Sequence, residues 1–325
     1  MRLLVTGGCG FIGSNFIRLV LKQYRDIRVV NLDKLTYCGN TDNLKDIVAG
    51  SRYSFVKGDI CDKNIVEDLV GECDAVVNFA AETHVDRSIK YPDDFLKTNV
   101  LGVKVLLDAA KKANVSRFIQ IGTDEVYGSV PKGFSKEDDP LRPRSPYSAT
   151  KAAGDLLAIS YHATYEMPVI IVRSSNNFGP FQYPEKMVPL FITNILRGGK
   201  VPLYGDGGHI RDWLFVRDNC MGIDLILHRG KPGEVYNIGG GNCISNLELT
   251  ENVLAIMGKG KESIQFVNDR PGHDRRYALD SSKIKSLGWA PESDFKKSLE
   301  DTINWYKDNE DWWASLKDKA EIIEW

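Results

Sequence analysis

The sequence has no excess of charge of either sign: 42 lysines and arginines stand against 44 aspartates and glutamates, a formal net charge of −2 over 325 residues. This balance gives no long-range attraction to nucleic acid or to an anionic membrane, so neither partner is expected. No apolar run approaches the roughly 18 residues that a membrane span requires. Met1 runs directly into a strand-like segment, so no secretory leader is predicted.

Cysteine is sparse and scattered along the chain. The six cysteines, which form no Cys-x-x-Cys pair, are Cys9, Cys38, Cys61, Cys73, Cys220 and Cys243. Single thiols of this kind are typical of the reducing cytoplasm, and they argue against a disulfide framework or a zinc site. The sequence therefore predicts a cytoplasmic globular protein without a metal.

The first half of the chain alternates short apolar runs with segments of helical spacing, such as residues 11–21 and 95–110. The runs that read as strands occupy residues 2–6, 28–32, 53–57, 75–79, 117–121 and 169–173. This alternation is typical of a parallel sheet covered by helices on both faces. We expect an α/β protein, with a Rossmann-type doubly wound parallel sheet in residues 1–175. Residues 176–325 should form a smaller, interleaved C-terminal substrate-binding lobe that partly returns to the first domain.

The C-terminal tail is rich in tryptophan, with Trp312, Trp313 and Trp325. We expect it to form a helix that docks on the body of the protein, and we assign it no functional role.

The first predicted strand runs into Gly-Gly-Cys-Gly-Phe-Ile-Gly at residues 7–13, at the start of a predicted helix. Glycines at this spacing permit a tight turn and the close approach of a diphosphate, which the helix N-terminus stabilises. Asp33 ends the second predicted strand. A carboxylate at this point accepts hydrogen bonds from a ribose and repels a 2′-phosphate. The pattern predicts a dinucleotide site that prefers NAD to NADP.

Thr123, Asp124 and Glu125 follow the fifth predicted strand, whose carboxyl end should face a ligand lying on the cofactor. Two adjacent carboxyls can act as one acid and one base if their surroundings separate their pKa values, although an isolated pair could equally cap the next segment. Tyr147 and Lys151 lie four residues apart on a predicted helix, so both side chains share one face. The ammonium and a nicotinamide cation would stabilise the phenolate of Tyr147, which makes it a candidate base.

These residues carry a family resemblance that runs from Met1 to about residue 305. The chain resembles the extended short-chain dehydrogenases/reductases and, within them, the dTDP-glucose 4,6-dehydratases of the NAD-dependent epimerase/dehydratase family. Besides the glycine turn and Tyr-x-x-x-Lys, the shared motifs lie at residues 33–37, 78–88, 123–125, 175–180, 211–213 and 269–276. Epimerases of the superfamily resemble Ser-x-x-Val-Tyr-Gly where this chain has Thr-Asp-Glu-Val-Tyr-Gly, so the Asp-Glu pair discriminates between the two activities.

The resemblance implies a lyase that oxidises C4 of dTDP-glucose, eliminates water across C5 and C6, and returns the hydride to C6. It implies that Tyr147, assisted by Lys151 and by Thr123 on the C4 oxygen, takes the C4 hydroxyl proton. Glu125 would take the C5 proton, and Asp124 would protonate the departing C6 oxygen.

The resemblance also implies two sets of binding residues. The cofactor set is Gly7, Gly10, Phe11, Ile12, Gly13, Asp33, Lys34, Thr36, Asp59, Ile60, Ala80, Ala81, Thr98, Tyr147, Lys151 and Asn177. The substrate set is Thr83, Thr123, Asn176, Lys186, Met187, Pro202, Tyr204, Arg211, Asn246, Arg270 and His273. Members of this family are generally homodimers, and the segments that correspond to the dimer helices are residues 99–113 and 147–165.

Two departures from the family pattern leave sugar and base selectivity open. The connection at residues 113–117 and the segment at residues 128–146 are both short. A dehydratase acting on UDP-glucose, or a nucleotide-sugar 4-epimerase or decarboxylase, would use the same Tyr147 and Lys151. A protein that kept the fold and lost the chemistry is disfavoured, because the tyrosine, the lysine and both carboxyls are present.

Overall fold

Strands and helices alternate along the first part of the chain, in a computed structural model that describes residues 1–47 and 51–320. In chain order the strands are β1 (Arg2–Thr6), β2 (Arg28–Asp33), β3 (Tyr53–Lys57), β4 (Ala75–Asn78), β5 (Arg117–Thr123), β6 (Val169–Ser174), β7 (Asn176–Phe178), β8 (Val201–Tyr204), β9 (Ile210–Phe215), β10 (Val235–Ile238), β11 (Cys243–Ser245) and β12 (Ile264–Val267).

The helices complete the framework. In chain order they are α1 (Phe11–Gln23), α2 (Lys63–Gly71), α3 (Val85–Lys90), α4 (Pro92–Leu96), α5 (Val103–Ala113), α6 (Pro146–Tyr165), α7 (Met187–Leu196), α8 (Val216–Arg229), α9 (Asn246–Ile256), α10 (Ser282–Ser286), α11 (Phe295–Asp308) and α12 (Glu310–Lys319). Among the described residues, no helix is both long and apolar enough to cross a bilayer.

A seven-stranded parallel sheet forms the centre of the molecule, in the order β10-β6-β5-β4-β1-β2-β3. The inner strands are buried along almost their whole length, because helices cover both faces, whereas Ser54 and Phe55 of the edge strand β3 are exposed. Phe16 of α1 and Ile223 of α8 belong to the core on one face, whereas Val66 of α2 and Leu106 of α5 belong to the core on the other. The strand order reverses between β1 and β4, the point at which such sheets bind ligands beyond the strand ends. The predicted Rossmann-type fold is confirmed.

A second lobe, formed by α7, α9, α11, α12 and the short strands β8, β9, β11 and β12, has its own core. Trp313 of α12 is fully buried there and donates to the carbonyl of Tyr306 (2.7 Å). Trp312 donates to Asn43 of the first part of the chain (2.9 Å). The docking helix predicted at the tail is confirmed for these two tryptophans, and Trp325 lies outside the described residues.

The structure refines the sequence expectations at two places. The predicted strands all form, and β5 extends to Thr123 at its carboxyl end. The helix expected over residues 95–110 is divided into α4, a π-helical segment (Lys97–Gly102) and α5.

The chain also returns to the central sheet through α8 and β10, and Tyr236 pairs with Val172 of β6. The first sheet is therefore completed by residues that follow part of the second lobe.

Candidate active site

Two adjoining cavities open beyond the carboxyl ends of the central strands. The smaller cavity, about 220 Å³, lies along the glycine turn, and the larger cavity, about 920 Å³, lies between the sheet and the second lobe. Thr83, Tyr147 and Lys186 line both cavities. Tyr147 therefore stands where a ligand of one cavity meets a ligand of the other.

The smaller cavity gathers most of the predicted cofactor residues. Those that line it are Gly7, Gly10, Phe11, Ile12, Gly13, Asp33, Lys34, Thr36, Asp59, Ile60, Ala80, Ala81, Thr98, Tyr147 and Lys151. Asn177 is not among its lining residues, and its side chain donates to the carbonyl of Ser175 (2.9 Å).

The glycine turn holds the start of α1 close to the sheet. Gly7 has a left-handed backbone (φ 68°), and a Cβ there would lie 2.6 Å from the backbone nitrogen of Ala80. A Cβ at Gly13 would lie 2.4 Å from the carbonyl oxygen of Gly7. Gly10 is the N-cap of α1 and supplies no side-chain cap, so the first N–H groups of the helix remain available to an anion.

Asp33 ends β2 at the wall of the smaller cavity and is buried. Its carboxylate accepts from the backbone N–H of Cys9 (2.9 Å) and of Leu35 (2.8 Å), which fixes its orientation. Carboxylate oxygens have further lone pairs for ribose hydroxyls. The adjacent Lys34 forms an ion pair with Asp59 (2.8 Å), so its charge is already matched within the protein. This arrangement fits a ribose with free hydroxyls better than one carrying a 2′-phosphate.

The larger cavity gathers the predicted substrate residues. Those that line it are Thr83, Asn176, Lys186, Met187, Pro202, Tyr204, Arg211, Asn246, Arg270 and His273. Thr123 is not among its lining residues; it ends β5, directly before the carboxyl pair.

The carboxyl pair lies in a short 3₁₀ turn (Asp124–Tyr127) directly after β5. The side chain of Thr123 caps this turn by accepting from the N–H of Glu125 (3.3 Å). Its hydroxyl donates to one oxygen of Asp124 (3.2 Å), while the other oxygen is buried without a partner. Glu125 lines the larger cavity, beneath which Asp124 is buried.

The surroundings separate the two carboxyls electrostatically. Burial, followed by the charge of Glu125, raises the pKa of Asp124 well above its ordinary value. Burial also raises the pKa of Glu125, but three cations, Arg270, Arg211 and Lys186, oppose the rise. The pair thus places a carboxyl that holds its proton beside one that gives its proton up more readily, which is the division that acid–base work requires.

Tyr147 begins α6 beside this pair. Burial raises the pKa of Tyr147 above 10, and the charges of Glu125 and Asp124 add to the rise. Hydrogen bonds with Thr123 and Thr83 oppose it.

The sequence argument expects the Lys151 ammonium and a nicotinamide cation together to stabilise the phenolate of Tyr147. Here the ammonium of Lys151 donates to the carbonyl of Ile121 (2.5 Å) at the wall of the smaller cavity. Its own pKa is lowered by burial, and Asp155 one turn further along α6 opposes that shift. Lys151 is therefore held by β5 and faces the cofactor side.

Three further residues of the larger cavity were not found from the sequence. Glu185 is buried, accepts from the hydroxyl of Tyr37 (2.8 Å) and has a second oxygen without a partner. His84 has a left-handed backbone (φ 80°), and its Nδ1 atom is buried without a partner. Asp86 accepts from Arg270 (3.1 Å) and from the hydroxyl of Tyr204 (3.1 Å). His84 and Asp86 lie within the shared motif at residues 78–88, and Glu185 is next to the predicted Lys186, but none of the three was singled out.

Comparison with known proteins assigns the family. The family model described as GDP-mannose 4,6 dehydratase matches residues 4–302. The chain belongs to this family of nucleotide-sugar 4,6-dehydratases. Among its relatives, the dTDP-glucose 4,6-dehydratase of Streptomyces niveus is 51% identical over 99% of this chain and 97% of its own. The low-salt glycan biosynthesis protein Agl12 of Haloferax volcanii is 53% identical over 94% of this chain and 98% of its own.

Solved structures of a 4,6-dehydratase and of a 4-epimerase have the same fold as this chain. The dTDP-glucose 4,6-dehydratase DesIV from Streptomyces venezuelae, crystallised with NAD, has a TM-score of 0.95 at 49% identity and covers 97% of this chain and 100% of its own. The UDP-glucuronic acid 4-epimerase from Bacillus cereus, in complex with NAD, has a TM-score of 0.90 at 30% identity, covering 95% and 99%. The fold is thus shared with epimerases, and the chemistry must be argued from the site.

Proposed function

We propose that the protein is an NAD-dependent hydro-lyase, a dTDP-glucose 4,6-dehydratase that forms dTDP-4-keto-6-deoxyglucose and water. The observation that carries this proposal is the carboxyl pair, Asp124 and Glu125, whose pKa values are separated next to Tyr147 at the junction of the two cavities. Two relatives named dTDP-glucose 4,6-dehydratase support it, since they are 51% and 52% identical to this chain over nearly its whole length.

NAD suits the smaller cavity on three grounds. The free N–H groups at the start of α1 suit its diphosphate, the fixed carboxylate of Asp33 suits its adenosine ribose, and the ammonium of Lys151, which lines the same cavity, would suit a hydroxyl of the second ribose. When bound, NAD supplies the acceptor for a hydride from C4 of the sugar and the donor that returns it to C6. The DesIV structure, which shares this fold, contains bound NAD.

The residues of this chain perform the proton transfers. Tyr147 takes the C4 hydroxyl proton at its phenolic oxygen, as a phenolate that the nicotinamide cation of bound NAD would stabilise against the effect of burial on its pKa. The resulting ketone makes the C5 proton acidic, and Glu125, which lines the cavity, removes that proton from C5. The C6 hydroxyl leaves as water because Asp124, which is held protonated by burial, donates to its oxygen.

The second lobe supplies the groups that suit a nucleoside diphosphate. Arg211 and Arg270 line the larger cavity, and a guanidinium group can bind two oxygens of a phosphate at once. The Nε–H of Arg270 is buried without a partner, which makes it available as a donor. Pro202, Tyr204 and Asn246 line the same cavity and would enclose the base.

A second candidate is a related dehydratase that acts on UDP-glucose, because the same cavity would accept either base. A 4-epimerase is less well supported, because it needs neither of the two carboxyls that adjoin Tyr147 here. The epimerase structures related to this chain are only about 30% identical to it.

The test is to incubate the purified protein with dTDP-glucose in heavy water without added cofactor. We expect loss of one water from the sugar nucleotide, one solvent deuterium at C5 and no net reduced cofactor. UDP-glucose in a parallel reaction tests the base. A product inverted at C4 that keeps all its oxygens would refute the dehydratase assignment.

The rate should depend on pH through both carboxyls. Glu125 works as a base only above its raised pKa, so kcat should fall as the pH drops through that value. Asp124 works as an acid only below its strongly raised pKa, so kcat should also fall as the pH rises through that value. A profile of kcat against pH should therefore be bell-shaped, with its acid limb above the ordinary glutamate pKa of about 4.3. An acid limb at or below that pH would contradict the proposed environment of Glu125.

The homodimer and the division of the chain are further parts of the proposal. Leu101, in the π-helical segment, and Leu156, on α6, are 51% and 55% exposed, which suits an apolar contact between two copies. Residues 1–175 would bind NAD and residues 176–325 mainly the sugar nucleotide, apart from α8 and β10, which belong to the first sheet. The unpaired cysteines of the described chain suit a reducing cytoplasm.

Replacing both Leu101 and Leu156 with glutamate should convert the dimer to a monomer, because two buried carboxylates per copy would lose their hydration. Light scattering after size-exclusion chromatography measures the mass. Leu196→Glu, at an exposed position on α7, is the matched control and should leave the dimer intact. A wild-type protein that is monomeric at micromolar concentration would contradict this part of the proposal.

A further inference from the structure

Two histidines of the second lobe form a stacked pair beside the larger cavity. The rings of His209 and His273 have centroids 3.7 Å apart and planes only 15° from parallel. Asp269 contacts both: one oxygen lies 2.6 Å from Nδ1 of His273 and the other 3.2 Å from Nε2 of His209. The two imidazoles therefore share a single carboxylate.

The geometry determines which nitrogen atoms remain free. Nδ1 of His273 is hydrogen-bonded to Asp269, and Nε2 of His209 faces the same carboxylate, so in the neutral rings the nitrogens left without a proton are Nε2 of His273 and Nδ1 of His209. His273 lines the larger cavity, whereas His209 is buried behind it and its Nδ1 has no partner. Of the two rings, His273 is therefore the one that a ligand of the larger cavity can reach.

Charged groups surround the pair on every side. On the cavity side lie Arg211 of β9 and Arg270 of the loop after β12, and both oppose protonation of His273. On the outer side Arg275 forms an ion pair with Asp206 (2.7 Å), and both act on His209.

The remaining contacts of the pair complete this setting. The edge of Tyr204, on β8, meets the His273 ring (6.1 Å), and its hydroxyl donates to Asp86 of α3. Asp274, next to His273, accepts from the hydroxyl of Tyr277 and contacts Arg144. Cations thus outnumber free anions on the side that faces the cavity.

We propose that His273 takes up one proton from solvent at Nε2 when a diphosphate ester binds in the larger cavity, and that His209 and Asp269 are positioning residues that hold its ring for this contact. The inference rests on the proposed nucleotide-sugar substrate and adds a proton to its binding reaction. The protonated Nε2 becomes a charged donor to a phosphate oxygen beside the two arginines.

The direction of the pH dependence follows from the surroundings. In the free protein, burial, together with Arg270 and Arg211, lowers the pKa of His273 to about 3, so the ring is neutral. A bound diphosphate offsets the two arginines and faces Nε2 with negative charge, which raises the pKa in the complex. Because the complex then binds more protons than the free protein, affinity is highest at low pH. It weakens as the pH rises to the pKa that His273 has in the complex.

A metal ion suits the same three side chains poorly. An ion bound by imidazole lies in the plane of the ring, and two nearly parallel rings 3.7 Å apart cannot both direct a lone pair at one ion. Arg211, Arg270 and Arg275 would also repel a cation. The cluster is therefore better suited to an anion, whose binding is accompanied by the uptake of a proton from solvent.

Titration calorimetry with the methyl ester of dTDP tests the proposal, since this probe has a diphosphate of fixed charge and no sugar to oxidise. Heats measured in two buffers of different ionisation enthalpy give the number of protons taken up. For the wild type we expect uptake that approaches one proton at about pH 5.5 and vanishes by about pH 8.5, and affinity that weakens up to about tenfold per pH unit between them. Binding without uptake throughout this range would overturn the inference while leaving the dehydratase proposal intact.

Three variants locate the proton. His273→Asn keeps a donor to Asp269 but removes Nε2, so uptake should be lost and the affinity should become independent of pH. His209→Gln keeps the other donor and should retain uptake. His228→Asn, which removes a histidine paired with Asp224 (3.4 Å) on α8, is the matched control and should behave as the wild type. Uptake that persists in His273→Asn, or that is lost in His209→Gln alone, would refute the assignment to His273. No binding of the probe by the wild type at any pH would instead refute the nucleoside-diphosphate substrate and, with it, this inference.

Discussion

Replacing Glu125 with glutamine is expected to stop dehydration while still allowing the sugar to reduce the bound cofactor. The amide keeps the size of the side chain but cannot accept the C5 proton, whereas oxidation at C4 depends on Tyr147. We expect formation of the 6-deoxy product to fall by about 10²- to 10⁴-fold. In a single-turnover experiment with dTDP-glucose, reduced cofactor should accumulate, as measured by its near-ultraviolet absorbance.

The matched control is Glu72→Gln, which changes an exposed carboxylate that pairs with Arg2 at the far end of the sheet. It should leave both the absorbance trace and the yield of product unchanged. If Glu125→Gln dehydrates at the wild-type rate, the base for C5 is another group, and the proposed division of labour between the carboxyls is wrong.

Replacing Tyr147 with phenylalanine is expected to abolish the first step and everything that follows it. The ring keeps its edge-on contact with Phe95 (6.3 Å), so the start of α6 should stay in place. Without the hydroxyl there is no group to take the C4 proton, and we expect a loss of about 10²- to 10⁴-fold in kcat. Unlike the glutamine variant, this one should show no reduced cofactor on addition of substrate.

Tyr165→Phe, at an exposed position near the end of the same helix, is the control for Tyr147→Phe and should retain full activity. The two active-site variants together separate oxidation from elimination. If Tyr147→Phe accumulates reduced cofactor as Glu125→Gln does, the tyrosine is not the base for the C4 hydroxyl.

Local sequence patterns predicted the parts of this protein that depend on neighbours in the chain. The glycine turn, Asp33 at the end of β2 and the four-residue spacing of Tyr147 and Lys151 are all short-range features. Each lines the smaller cavity, because turn geometry and helix periodicity place these side chains whatever lies further along the chain. The functional roles of these residues remain predictions.

The remaining features depend on contacts between distant segments. Glu185 is held in the site by a hydrogen bond from the hydroxyl of Tyr37, which is far away in the sequence. The pairing of His209 with His273 needs β9 to meet the loop after β12, which no periodicity indicates. The pKa of Tyr147 likewise depends on burial and on the two carboxyls that follow β5, which the spacing of Tyr147 and Lys151 on their helix does not indicate.

The return of the chain to the central sheet also has a consequence for synthesis on the ribosome. Until residues Val235–Ile238 emerge, β6 has a bare edge with unsatisfied backbone groups, because its partner β10 is made about 60 residues later. A nascent chain that stops between them holds a nearly complete dinucleotide fold with an open flank. The last stage of folding therefore waits for part of the second lobe to be translated, and a fragment that ends near residue 175 would be prone to aggregation through that edge.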